Sequence, residues 1–263
     1  MTKTKKYIII AIVVLLISCL IGLMISGAIW GIPPFGFLYD IRLASLEGNS
    51  VKYDIENVKT EDNSSLEGLN ILYIGSSVTN GAASQGVSFA DYIAKRNNTE
   101  YVKEAVNGTT LVSGKNSYIE RLQNIDTNQS FDLVICQLST NDATKGKPLG
   151  NPSLTDNPDK DTVCGAIEYI ITYVKETWGC PIIFYTNSHY ENENYADMVD
   201  ALLEISELYD IGVIDLYTDA DFNSISEEQR KLYMADNIHP TKAGYLEWWT
   251  PKIEAYIVDY LSR

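Results

Sequence analysis

The chain has 263 residues, 35 of them acidic against 20 basic, for a formal net charge of −15. That length allows one membrane segment and one domain of roughly 200 residues with a full-sized core. All the acidic residues and all but three of the basic ones lie beyond residue 30, and so acidic a surface repels phosphate backbones, which excludes nucleic acid as an expected partner.

In chain order, residues 1–6 form a short basic tail carrying Lys3, Lys5 and Lys6. Tyr7 to Trp30 then runs without a charge. At about 1.5 Å per residue it reaches roughly 36 Å, longer than a hydrocarbon core of about 30 Å. This predicts a transmembrane helix over 7–30. With Asp40, Arg42 and Glu47 following at mixed sign, the positive-inside bias keeps the amino terminus in the cytoplasm and places residues 31 onward outside. Two processing alternatives stay open. Leu16-Ile17-Ser18-Cys19 resembles a lipoprotein cleavage box, which would lipidate Cys19, and Ser26-Gly27-Ala28 could serve a signal peptidase. The apolar run continuing from Leu20 to Trp30 favours the uncleaved, single-pass anchor.

Residues 31–68 read as a connector, broken by Pro33-Pro34 and Gly36 and ending in the polar stretch Glu61 to Ser65. Its aromatics, Phe35, Phe37, Tyr39 and Tyr53, suit either packing on the domain or the membrane interface. The domain proper is expected over 69–263. Strands are predicted at 71–74, 101–106, 133–137, 182–185 and 213–216, with helices near 88–96, 118–123, 162–177, 195–209 and 241–261. Strands alternating with helices of this length imply parallel crossovers. The fold class is therefore α/β, a three-layer α/β/α sandwich, with ligands expected beyond the carboxyl ends of the strands. Outside the anchor, Cys136, Cys164 and Cys180 cannot pair completely and sit in apolar runs, as buried thiols do. No C-x-x-C or His-rich spacing points to a metal site.

Four segments at predicted strand ends carry chemistry. Gly75-Ser76-Ser77 follows the first strand, where a serine on a tight turn exposes its hydroxyl and keeps its N–H free. Asn107-Gly108 follows the second, and glycine lets a backbone N–H approach a ligand. Ser139-Thr140-Asn141-Asp142 follows the third, where an Asn amide can donate to an oxyanion. Asp236-Asn237-Ile238-His239-Pro240 precedes the last helix, and a carboxylate three residues before an imidazole can hold its Nδ1–H. Each segment alone also has a plain reading as a turn or a cap, and Asp236-x-x-His239 is the most specific of the four.

Their joint order resembles the SGNH (GDSL-type) hydrolase family across about residues 69–262. The resemblance implies a flavodoxin-like sheet and a Ser77–His239–Asp236 triad. It further implies an oxyanion hole from the Ser77 N–H, the Gly108 N–H and the Asn141 side chain. The implied reaction is hydrolysis of esters or thioesters, often acetyl groups on carbohydrate, with no metal or organic cofactor. Two positions depart from the family pattern: Ser76 stands where Asp is usual, and Ser139 where Gly is usual. Ser76 is thereby a rival nucleophile, although spacing from Gly75 favours Ser77.

Three further features are expected near the site. His189, past the fourth strand, could line the substrate pocket, and the long polar segment 145–161 is expected as a lid or rim. Trp248 and Trp249 suit core packing better than a carbohydrate platform. The expected partner is an acylated carbohydrate or another small ester, with the membrane contacted through residues 7–30. An acyltransferase, a lipase or thioesterase, and a non-catalytic glycan-binding module are the competing readings.

Overall fold

A computed structural model describes residues 3–263, the side chain of Trp30 aside. Beyond Lys6, helix α1 (Lys3–Trp30) is apolar on every side and its aliphatic side chains are exposed, so among the described residues nothing packs around most of it. Residues Lys3–Ile29 are long and apolar enough to cross a membrane, and a signal sequence would share that length and composition. The chain then turns back through Gly31 to Gly36 into α2 (Phe37–Ala44). That turn is tight against the helix it leaves, since a Cβ at Gly27 would lie 2.5 Å from Phe35 Cβ.

Five parallel strands follow: β1 (Asn70–Gly75), β2 (Glu100–Ala105), β3 (Leu133–Gln137), β4 (Ile182–Tyr185) and β5 (Gly212–Ile214). Their spatial order is β2-β1-β3-β4-β5, the flavodoxin-like order. The side-chain period of two explains why β1, β3 and β4 read as continuous apolar runs, because each sends alternate residues to two buried faces, whereas β2 at the sheet edge is partly exposed. Ile71, Tyr73, Leu133, Ile135, Ile183 and Tyr185 enter one core with α4 (Phe89–Asn97) and the carboxyl-terminal helix. Leu72, Ile74, Val134, Cys136, Ile182 and Phe184 enter the other, with α5 (Tyr118–Gln123), α7 (Val163–Thr177) and α8 (Glu193–Tyr209). The three thiols of the domain are buried and free, and burial pushes those of Cys164 and Cys180 up to about 11.

The predicted last helix divides in two. Residues Gly244–Trp249 form a π turn, followed by an α-helix over Thr250–Leu261. Pro251 has no N–H to give to the preceding turn, and the Thr250 N–H bonds back to the Tyr245 carbonyl, which widens it. Trp248 and Trp249 are core residues, stacked against Phe222 and Phe89 respectively.

The segment between α2 and β1 is held closely to the domain. Asn49 is buried, and its amide donates to the carbonyls of Leu43 (2.9 Å) and Ala83 (2.8 Å) while its oxygen accepts from Lys242 N–H (2.9 Å). Lys242 Nζ pairs with Asp54 at 2.6 Å, and Tyr92 donates to the Tyr53 carbonyl at 2.6 Å. Asn49 thus ties together α2, the loop after Ser77 and the segment after His239. Leaving a buried polar group unpartnered costs about 1–3 kcal/mol. Asn49→Ala should therefore lower stability by about 2–4 kcal/mol in urea unfolding of the full chain in detergent. Asn57→Ala, which removes only an exposed amide bonded to the Val51 carbonyl, should change it by less than about 0.5 kcal/mol.

Candidate active site

Ser77 begins a single helical turn, α3 (Ser77–Asn80), directly beyond β1. The turn can form only on glycine: a Cβ at Gly75 would lie 1.7 Å from Thr79 Oγ1 and 2.8 Å from Gln137 Oε1. The last side chain of β3 then fastens it. Gln137 Oε1 accepts from Ser76 N–H (2.8 Å) and from Thr79 Oγ1 (2.9 Å). Thr79 gives its hydrogen to Gln137, so Tyr185, 2.6 Å away, donates to Thr79. Ser76 is fully buried with its hydroxyl toward Gln137, whereas Ser77 Oγ lies 2.8 Å from His239 Nε2. The two adjacent serines face opposite environments.

The imidazole is presented by a narrow loop. Met234 and Pro240 form an antiparallel bridge, and Ala235 N–H bonds to the His239 carbonyl at 2.9 Å. Inside that loop Asp236 Oδ1 accepts the N–H groups of Ile238 and His239, both at 2.8 Å. The same carboxylate meets His239 Nδ1 at 2.9–3.0 Å. Burial works to raise the Asp236 carboxyl, but the hydrogen bond and charge of His239 and the two backbone N–H groups outweigh it, holding the carboxyl below its ordinary value. With Nδ1–H given to the carboxylate, Nε2 is left as an acceptor for the Ser77 hydroxyl.

Beyond β2, Gly108 adopts φ +76°, a conformation that favours glycine. Lys145 Nζ holds its carbonyl at 2.7 Å. Among the described residues, neither the Ser77 N–H nor the Gly108 N–H meets a protein acceptor. Beyond β3 begins α6 (Thr140–Thr144), capped by Ser139, whose Oγ accepts from the N–H groups of Asn141 and Asp142. The serine that replaces the expected glycine is thus part of the cap. Asn141 gives one amide hydrogen to the Thr109 carbonyl at 3.0 Å, leaving its second hydrogen free of protein. Asp142 is buried and takes Leu111 N–H (2.8 Å) and Val112 N–H (3.2 Å), which fixes the loop carrying Gly108. Its burial pushes the carboxyl up, against the pull of those bonds.

Ser77, Asn107, Gly108, Asn141 and His239 border one open cavity of about 700 Å³. Its remaining walls are Ala82 and four residues that follow the apolar helix: Gly31, Gly36, Tyr39 and Asp40. Burial, and then the nearby charge of Asp236, push the Tyr39 hydroxyl up from its ordinary value. Two expectations are corrected by this geometry. His189 lines a different depression, with Tyr190, Glu191, Arg230 and Asn237. The expected lid or rim at 145–161 touches the site loops through Lys145, through Lys147 N–H on the Asp142 carbonyl (3.0 Å) and through the Lys160 carbonyl, which accepts from Ser113 N–H (2.9 Å), but no residue of that segment borders the cavity. The wall comes instead from the segment between the apolar helix and the domain.

Sequence reasoning also missed Arg121. Its buried guanidinium donates to the Gly75 carbonyl (2.7 Å), the Asn116 carbonyl (3.1 Å), Thr109 Oγ1 (3.3 Å) and the Glu104 carbonyl. One side chain thus braces both the turn before Ser77 and the loop after Gly108. Its helical spacing from Tyr118, three residues earlier on the apolar face, was the only available signal.

The family model described as GDSL-like Lipase/Acylhydrolase family matches residues 73–246. No curated protein matches the chain. A solved Lactobacillus plantarum protein is 20% identical, with TM-score 0.64, covering 73% of this chain and 98% of its own. A member of the lipolytic protein G-D-S-L family from Veillonella parvula is 17% identical, with TM-score 0.54 and coverage of 72% and 98%. An acetyl-xylooligosaccharide esterase from Geobacillus, solved as a point mutant, is 16% identical, with TM-score 0.53 and coverage of 73% and 94%. At these identities the solved structures support the fold, and the family model covers most of the domain. The chain belongs to the GDSL-like lipase/acylhydrolase family of ester-hydrolysing serine hydrolases.

Proposed function

We propose that the chain is a single-pass, membrane-anchored esterase whose domain faces outward and removes short acyl groups, acetyl above all, from carbohydrate. The observation that carries this reading is the hydrogen-bonded line Asp236–His239–Ser77, opening into a cavity that no aliphatic chain longer than alanine borders. A long acyl group would need an apolar channel. The glycines, amides, Tyr39 and Asp40 that border the cavity suit a small acyl group and a hydroxyl-rich leaving group instead. The outward placement rests on Lys3, Lys5 and Lys6 preceding the apolar helix. The Geobacillus acetyl-xylooligosaccharide esterase, similar in fold, adds support for the substrate class.

In the proposed mechanism His239 Nε2 takes the Ser77 proton as Oγ attacks the acyl carbon, and Asp236 stabilises the imidazolium. The N–H groups of Ser77 and Gly108 and the free amide hydrogen of Asn141 hold the oxyanion, each worth about 3 kcal/mol. The imidazolium then gives its proton to the leaving alkoxide. Water entering the open cavity then attacks the acyl carbon as it gives a proton to His239, and the acid leaves as Ser77 Oγ departs and takes that proton back. Such ready access of water favours hydrolysis over transfer of the acyl group to a second hydroxyl.

A fluorophosphonate probe should label the wild type and Ser76→Ala but not Ser77→Ala; equal labelling of Ser77→Ala would sink the nucleophile assignment. Hydrolysis of p-nitrophenyl acetate should exceed that of the decanoate by at least about tenfold in kcat/KM, equivalent to about 1.4 kcal/mol. The reverse preference would favour the lipase reading. Asp236→Asn should lower kcat by about 10³–10⁴. The stabilisation from the depressed Asp236 carboxyl is complete above the unfolded-state value, near pH 4, and is lost as pH falls through the native one. Wild type should therefore lose more stability than Asp236→Asn between pH 5 and pH 3, read from urea midpoints.

A further inference from the structure

The cavity beside Ser77 and His239 does not belong to the family domain alone. Gly31, one of its walls, is the residue immediately after α1, and Gly36, Tyr39 and Asp40 follow within ten positions. Tyr7 to Trp30 exceeds a bilayer core by a few ångströms, so the helix end and the cavity wall fall at headgroup level. The segment cannot swing away freely. Leu43 at the end of α2 is buried, and Asn49 bonds it to the loops that follow Ser77 and His239. Around the same junction Ile29, Ile32, Phe37 and Ile41 are exposed, with Phe37 and Ile41 one turn apart on α2. An apolar face continuous with a membrane helix is suited to burial at the bilayer boundary. This deepens the function proposed above and rests on it.

We infer that the natural substrate is resident in the membrane. It is an acylated carbohydrate linked to a lipid, whose scissile ester is presented at headgroup height to a cavity held there by α2. Covalent tethering makes this geometric. A site fixed within a few ångströms of the bilayer meets lipid-linked esters at high effective concentration, while its reach toward distant polymer is limited. The polar cavity takes the acylated headgroup, and the lipid chains stay in the bilayer.

Two esters that differ only in anchor test this. One is methyl 6-O-acetylglucoside in solution; the other is the same acetylated glucose on dihexadecylglycerol, in phosphatidylcholine vesicles that hold the full chain. In a variant with an eleven-residue Glu/Ala/Lys helix inserted between Met24 and Ile25, residues 7–24 still span, while residues 25–263 rise by roughly 16 Å with their facing kept. The readout is the ratio of lipid-linked to soluble acetate release, which should fall at least tenfold. An unchanged ratio overturns the inference, whatever happens to the absolute rates. The double variant Phe37→Glu, Ile41→Glu, which alters exposed side chains that do not border the cavity, should lower the same ratio and decides the matter if the spacer variant is inactive. A wild type that cleaves p-nitrophenyl acetate but not the lipid-linked ester also overturns it, leaving the esterase reading intact. Inactivity on p-nitrophenyl acetate would instead defeat the esterase reading itself.

Discussion

Ser77 and His239 are 162 residues apart in sequence and meet at 2.8 Å, and most of the architecture serves that contact. On one side of it, the tight turn at Gly75 and the Gln137 carboxamide aim Ser77 away from the core. On the other, the Met234–Pro240 bridge and the Asp236 carboxylate hold the imidazole at a fixed angle. Neither loop alone would place a hydroxyl against a ring nitrogen. The parallel sheet does so, because its strands end together at one edge and the order β2-β1-β3 opens a crevice there.

Support for the loops comes from buried polar groups with assigned partners. Gln137, Arg121, Asp142 and Asn49 each bond to backbone of a segment distant in sequence. Such bonds are strong where water is excluded, and costly to leave half made. They hold the site loops rigidly in place. Burial acts against the charge on Asp142 while the two N–H groups it accepts act for it, so the loop order is held against a desolvation cost.

Asn49 gives the site its second character. Through it the segment following the apolar helix is tied to the domain whose cavity it borders. The hydrolase fold supplies the chemistry at one edge of the sheet. The segment after the apolar helix borders that same edge.

Much of this was legible in the amino-acid order. Alternating apolar runs and amphipathic stretches gave the three-layer class, because burial on both faces leaves a parallel strand no polar side to show. Asp236-x-x-His239 was readable because both groups lie within one loop, and the apolar helix because length and charge alone define it. What sequence could not give depended on contacts between distant segments. Neither Arg121 nor Asn49 was singled out by the sequence, since no local pattern reveals a partner 46 or 34 positions away. His189 shared a sheet edge with the site yet faces another depression, because a strand end fixes height and not direction. For the same reason a lid or rim was expected from 145–161, whereas the cavity is bordered by residues of 31–40. Local periodicity determined the elements and the chemistry-bearing loops, and only tertiary packing decided which loops share a cavity.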